Sequence, residues 1–130
     1  MTSFYDLSVA DQSERLRAVA VVALEAYSLT DAQLEPIEYS SNLFFRVDAG
    51  ESRYAFRVCH DTFDLNDLRC ETEWFAALSR DTDLAVATPV PADDGTLYVQ
   101  AVPAGVPEPR YCVLFRWLER YGLKLCMGRI

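Results

Sequence analysis

This 130-residue sequence has a single histidine, His60, and its four cysteines include no Cys-x-x-Cys pair. A closed zinc site needs four such ligands, usually with at least one closely spaced pair. We therefore expect no metal site, and we expect the cysteines to be buried, reduced thiols. They are Cys59, Cys70, Cys112 and Cys126.

Positive charge is also scarce, since 12 Lys and Arg face 20 Asp and Glu and give a net charge of −8. Nucleic-acid binding depends largely on cations that neutralise phosphates, so we expect no nucleic-acid partner. No apolar run approaches the roughly 20 residues that cross a bilayer, and no membrane partner is expected. Residues 1–6 lack a positive segment followed by an apolar core, so no leader is visible and a cytoplasmic location is the expectation.

The periodicity of the apolar residues predicts a single α+β domain. A helix over 11–27, capped by Ser8 or Asp11, precedes three strands, and Gly50 suits an antiparallel hairpin between the second and third. A second helix over 64–80 begins at a cap, Asp61 or Asp64, and is followed by two more strands. The predicted strands are 33–39, 43–48, 53–60, 96–102 and 111–117. The result is a five-stranded, mainly antiparallel sheet with a helix inserted between its third and fourth strands and an extra N-terminal helix.

Four segments carry the chemistry of this arrangement: Ser40-Ser41-Asn42-Leu43 before the second strand, Tyr54-Ala55-Phe56-Arg57 on the third, Cys70-Glu71-Thr72-Glu73-Trp74 on the inserted helix, and Tyr111 to Glu119 at the end. Together with the order of elements, they resemble the small lobe of the kinase-like aminoglycoside phosphotransferase family, which includes homoserine kinase type II and choline kinase relatives. The resemblance covers roughly residues 4–119 and implies a protein-kinase-like small lobe over residues 1–119.

The resemblance implies a nucleotide site on one face of the sheet. Ser41 and Asn42 match the polar turn that covers the phosphates, where short side chains and backbone N–H groups are needed. Ala55 would lie against adenine. Arg57, in place of the lysine of protein kinases, would hold the α- and β-phosphates and would reach a cleft without entering the core. Taken alone, the turn could be an ordinary polar turn and the arginine a solvated or salt-bridged side chain.

The glutamate that pairs with the strand cation in such enzymes has two candidates here, Glu71 and Glu73. They differ by about 200° around a helix, so only one can face the sheet. The resemblance favours Glu71, because the family's glutamate stands three residues before an aromatic, matched by Trp74. Either glutamate could instead be a surface charge.

The last strand resembles the strand that leads into the connection between the two kinase lobes. By that match Phe115 lies at the back of the adenine pocket, and the backbone from Arg116 to Leu118 reads the adenine edge. For Trp117 the first expectation is that its side chain packs in the core or at an interface. The pattern departs from the family at Arg120, where Gly is usual, and residues 120–130 match nothing in it.

The sequence contains no His-Gly-Asp catalytic loop, so we expect no catalytic residue and no metal ligand. The implied function is the ATP-binding lobe of an ATP-dependent small-molecule phosphotransferase, inactive alone, with Mg²⁺ bound only together with a second lobe. This predicts an exposed apolar underside near Phe115, Trp117 and Leu118, through which the chain could also associate with itself. Two alternatives remain: a binding or interaction module without chemistry that uses the same sheet, and an unrelated α+β domain, in which Arg57 and Glu71 would not be in contact.

Overall fold

The structure is a computed structural model, and it describes residues 6–39, 42–59, 64–82, 88–101 and 110–117. Its elements follow the predicted order. They are α1 (Val9–Leu24), a 3-10 turn (Glu25–Tyr27), β1 (Gln33–Tyr39), β2 (Leu43–Ala49), β3 (Ser52–Val58), α2 (Leu65–Asp81), β4 (Val99–Ala101) and β5 (Arg110–Arg116).

The five strands form one sheet in the order β1-β2-β3-β5-β4, and all four pairings are antiparallel. Gly50 has a φ of 61° in the two-residue turn between Ala49 and Ser52, a conformation that glycine adopts without a steric penalty. Pro36, which has no backbone N–H, lies on β1 at the edge of the sheet, where a missing donor is tolerated. The pairing of β1 with β2 shifts register between Pro36 and Glu38. The α+β fold predicted from the sequence is confirmed.

Each helix begins at a side chain that accepts hydrogen bonds from the first turn. Ser8 Oγ accepts from the Asp11 N–H at 3.1 Å and caps α1. Asp64 Oδ1 accepts from the Asn66 N–H at 2.7 Å and caps α2. These bonds satisfy donors that a helix leaves open at its start, so the cap positions fix where each helix begins.

The sheet separates two apolar clusters. Cluster 1 lies on the α1 side and includes Leu16, Val19, Phe45 and Phe56. Cluster 2 lies on the α2 side, and its buried members are Phe44, Ala55, Cys59, Leu68, Phe75, Val113 and Phe115. Because side chains alternate along a strand, β3 supplies Phe56 and Val58 to cluster 1 and Ala55 to cluster 2, and Cys59, just after β3, continues the alternation into cluster 2. The sheet is therefore buried on both faces at its centre.

The region before β5 differs from the prediction. The strand predicted over 96–102 is described only from Val99 to Ala101, since Thr96 belongs to a turn in which its N–H donates to Asp94 Oδ1 at 3.0 Å. Gly95, with a φ of 90°, completes that turn. Pro89 instead forms an isolated bridge to Phe115, so residues 88–90 extend the pairing along β5. Neither described helix is long and apolar enough to span a bilayer.

Candidate functional site

A buried ion pair joins β3 to α2. Arg57 Nη2 donates to Glu71 Oε1, with side-chain exposures of 2% for the arginine and 16% for the glutamate. The Arg57 guanidinium also lies over the ring of Phe115, 5.4 Å from its centroid. The glutamate that faces the sheet is Glu71, and Glu73 is exposed. This contact contradicts the unrelated-domain alternative, which predicted none.

The charge on Arg57 is maintained despite its burial. Burial acts to lower the pKa of the guanidinium, but the neighbouring Cys59 and the Glu71 carboxylate together more than offset it, so the pKa lies above its ordinary value. Burial also raises the pKa of the neighbouring Cys59 thiol, which keeps it neutral at pH 7. Glu71 is therefore the group that balances the arginine charge.

Phe115 packs against this ion pair, and its place at the back of an adenine pocket stays a prediction. It is fully buried, it pairs across the ladder with Ala55, and the ring of Phe75 meets it edge-on at 6.4 Å between centroids. Ala55 is also fully buried. The expectation that Arg57 avoids the core was wrong, because the strand places it inside cluster 2 between Phe115 and α2.

The predicted phosphate loop and hinge are described only in part. Ser41 and Leu118 lie outside the described residues. Asn42 lies just before β2 and is half-buried, and the Arg116 N–H donates to the Thr88 carbonyl oxygen at 3.0 Å. This hydrogen bond occupies the Arg116 donor, so any N–H that reads an adenine edge has to come from further along the chain. The roles assigned to these four residues remain predictions.

A row of charged side chains crosses the α2-side face of β1, β2 and β3. Arg46 forms salt bridges with Glu35, at 2.7 Å from Nη2 to Oε2, and with Asp48, at 3.1 Å from Nε to Oδ2. Arg53 forms a salt bridge with the same Asp48, at 2.8 Å from Nε to Oδ1. The Arg53 guanidinium then lies over the indole of Trp117, 5.6 Å from its centroid. Sequence reasoning missed this row, although charges at alternate positions of β2 were a visible signal that one face of the strand is polar there.

The apolar underside predicted near Phe115, Trp117 and Leu118 stays a prediction, because Phe115 is fully buried, Trp117 is half-buried and Leu118 lies outside the described residues. A different aromatic residue, Trp74 on α2, is 52% exposed. Trp74, Asp67, Cys70 and Glu71 share one face of α2 and line an open cavity of about 570 Å³. Cys70 is an exposed thiol, unlike the buried Cys59 and Cys112, so the expectation of buried cysteines was wrong for it. In the described part of the chain, no three His, Cys, Asp or Glu side chains form a group that could hold a metal ion.

Comparison with known proteins gives a match among solved structures. No family model matches the sequence, and no curated protein matches it. Four chains among the solved structures match, and one of them is a microcompartment-associated aminopropanol kinase. The match is 35% identical with a TM-score of 0.69, and it covers 78% of this chain but 31% of that one. The chain thus has a kinase-like small-lobe fold and spans about a third of that kinase's length.

Proposed function

We propose that this chain is the ATP-binding lobe of an ATP-dependent small-molecule phosphotransferase. The observation that carries the proposal is the Arg57–Glu71 ion pair against Phe115, placed on a sheet and helix that are similar to those of a kinase. A guanidinium that a carboxylate holds in one orientation is suited to bind phosphate oxygens. Such positioning of cations is a large part of what phosphoryl transfer requires of a protein.

The described residues fit a nucleotide chemically. Arg57 would hold the α- and β-phosphates, with Glu71 fixing its direction, and Ala55 and Phe115 would face the base. Ala55, Arg57 and Phe115 are all closed to solvent in this conformation, so binding requires neighbouring side chains to move. ATP would supply the phosphoryl group, and Mg²⁺ would be bound together with carboxylates of a second lobe.

The acceptor in the full enzyme is proposed to be the hydroxyl of a small amino alcohol, amino acid or aminoglycoside. The aminopropanol kinase favours the first of these. A catalytic base within hydrogen-bond reach of the acceptor is needed for transfer, and the sequence carries no His-Gly-Asp loop to supply one. We therefore expect these 130 residues to bind nucleotide without turning it over.

One observation favours the alternative of an interaction module without chemistry. Trp74 leaves half of a large aromatic surface exposed next to Glu71, and exposed aromatic residues are enriched where proteins associate. In that case the α2 face of Asp67, Cys70, Glu71 and Trp74 binds a partner protein, and nucleotide has no effect on stability.

A thermal melt with and without Mg²⁺-ATP tests the proposal. Ligand at ten times its dissociation constant adds about 1.4 kcal/mol to the free energy of unfolding, or about 5 °C in Tm for a chain of this size. Each variant is compared with its own melt without ligand, and Arg57→Ala should show no increase in Tm when Mg²⁺-ATP is added. Arg80→Ala removes an exposed arginine on α2 and should keep the shift.

An unchanged Tm for the parent chain at millimolar Mg²⁺-ATP would contradict the proposal and favour the interaction module. A shift that survives in Arg57→Ala would place the nucleotide elsewhere. Arg57→Lys, which keeps a cation on β3, should retain part of the shift and separates loss of charge from loss of folding.

A further inference from the structure

The outer face of α2 presents an exposed aromatic side chain next to carboxylates. Trp74 is 52% exposed and lines an open cavity of about 570 Å³ together with Asp67, Cys70 and Glu71. These positions follow one another at intervals of three or four residues, so they lie on one side of the helix. Glu73, beside Trp74, is exposed as well. A segment that carries both apolar side chains and positive charge would complement this face.

Residues 120–130 have this composition. They contain Arg120, Lys124 and Arg129 and no Asp or Glu, a side-chain charge of +3. The preceding 119 residues hold the other nine Lys and Arg against all 20 Asp and Glu, a charge of −11. Apolar side chains occupy alternate positions of the segment: Tyr121, Leu123, Leu125 and Met127. The segment lies outside the described residues, and its charge is opposite to that of the rest of the chain.

The segment can reach α2 from the last described residue, Trp117. Trp117 packs against cluster 2, on the α2 side of the sheet. It is two residues beyond Phe115, about 7 Å along the strand, and the Phe115 ring lies 6.4 Å from the ring of Phe75 on α2. Lys124 comes seven residues after Trp117, and seven extended residues span up to about 23 Å. Even across the roughly 10 Å width of a helix, residues from Lys124 onward can therefore reach the outer face.

We propose that residues 120–130 bind across the outer face of α2, with their apolar side chains against Trp74 and their cations near Asp67 and Glu73. The covalent connection to β5 keeps the segment at a high effective concentration, so contacts that are weak individually suffice to hold it there. The occupant is thus a segment of this chain, and not the partner protein of the interaction-module alternative. The proposal is independent of ATP binding at Arg57.

Carbodiimide cross-linking tests the proposal, because this reagent joins an amine to a carboxylate that it contacts. Lys124 is the only lysine in the sequence, so every lysine cross-link reports the position of this segment. In a dilute solution of the full chain, Lys124 should couple within one molecule to Asp67 or Glu73, as identified by mass spectrometry of the digested chain. Coupling to exposed carboxylates elsewhere, Glu14 on α1 and Asp31 before β1, should be at least about fivefold weaker if the bound position dominates.

Variants identify the contacts. Trp74→Ala removes the apolar part of the face and should lower the coupling of Lys124 to Asp67 at least about fivefold. Val22→Ala, which removes an exposed apolar side chain from α1, is the matched control and should couple like the parent. Arg120→Gln combined with Arg129→Gln keeps the lysine and removes two cations, so coupling should fall about threefold, because exposed ion pairs contribute little each. Circular dichroism of each variant checks that the fold is retained.

Four outcomes would overturn the inference: no cross-link to α2, equal coupling to Asp67 and to Glu14 or Asp31, equal yields in Trp74→Ala and Val22→Ala, or cross-links between molecules in place of those within one. The last would make a second copy of the chain the occupant of this face. The cross-linking uses no nucleotide. If Mg²⁺-ATP leaves the Tm unchanged while Lys124 still couples to Asp67, the proposed function fails and this inference stands.

Discussion

Replacing Glu71 by glutamine tests whether the buried ion pair holds α2 on the sheet. Glu71→Gln removes the charge that balances Arg57, whose side chain is 2% exposed. Breaking a buried pair by removing one partner costs about 3–5 kcal/mol. Glu71 retains 16% exposure and glutamine keeps an oxygen that can accept from Arg57, so we expect a smaller loss, about 2 kcal/mol.

The assay is thermal unfolding followed by circular dichroism at pH 7. A loss of about 2 kcal/mol corresponds to a drop in Tm of about 8 °C, at about 4 °C per kcal/mol for a chain of this length. Glu73→Gln is the matched control, because it makes the same change two residues away on the exposed face of α2. A surface substitution of this kind stays within about 0.5 kcal/mol, or about 2 °C.

Salt separates this effect from a general response to the charge of the chain. A buried pair is screened much less than an exposed one, so the difference between the two variants should persist at about 0.5 M NaCl. If Glu71→Gln and Glu73→Gln melt within 2 °C of each other, the pair does not stabilise the lobe, and the reasoning from burial is wrong.

Two further predictions concern local stability. Asp64→Ala removes the acceptor for the first N–H groups of α2 and should lower the free energy of unfolding by about 1 kcal/mol, which corresponds to a fall of about 4 °C in Tm. Asp64→Asn keeps an acceptor and should recover most of this loss of stability. Equal losses in the two variants would contradict the role of Asp64 as the helix cap. The hydrogen bond from Arg53 lowers the pKa of the Asp48 carboxyl in the folded chain. The ionised carboxylate therefore stabilises the fold at pH values above the pKa of Asp48 in the unfolded chain, and this stabilisation is lost as the pH falls through the pKa of Asp48 in the folded chain. Tm should therefore fall between about pH 5 and pH 3, and less steeply in Asp48→Asn; parallel profiles would show that Asp48 has no part in the fall.

The elements that could be predicted from the sequence are those whose signal is local. The apolar period of α2, its cap at Asp64 and the Gly50 turn each depend on a few neighbouring residues, and the structure confirms them. Glu71 was also placed correctly on the sheet side of α2. The fixed turn of a helix per residue allowed only one of Glu71 and Glu73 to face the sheet, and the family resemblance, through Trp74 three residues further on, favoured Glu71.

The features that could not be predicted depend on contacts between distant segments. The burial of Arg57 depends on Phe115 from β5 and Glu71 from α2, and no local pattern shows that both close over it. The bridge from Pro89 to Phe115 lies in a stretch that contains two prolines and reads as a break. The stack of Arg53 on Trp117 joins residues 64 positions apart, which only the register of β3 against β5 brings together.

The position of α2 controls the geometry of the candidate site. Arg57 is held from α2 by Glu71 and from β5 by Phe115, and Phe75 of α2 packs against the same Phe115 ring. The helix therefore contacts both supports of the arginine, one through a charge and one through an aromatic edge. A shift of α2 along the sheet would move the Glu71 carboxylate and the Phe75 ring together, and it would redirect the Arg57 guanidinium. If the proposed function holds, residues of cluster 2 that touch no ligand should consequently influence phosphate binding as strongly as residues at the mouth of the cleft, because they determine where the Arg57 guanidinium points.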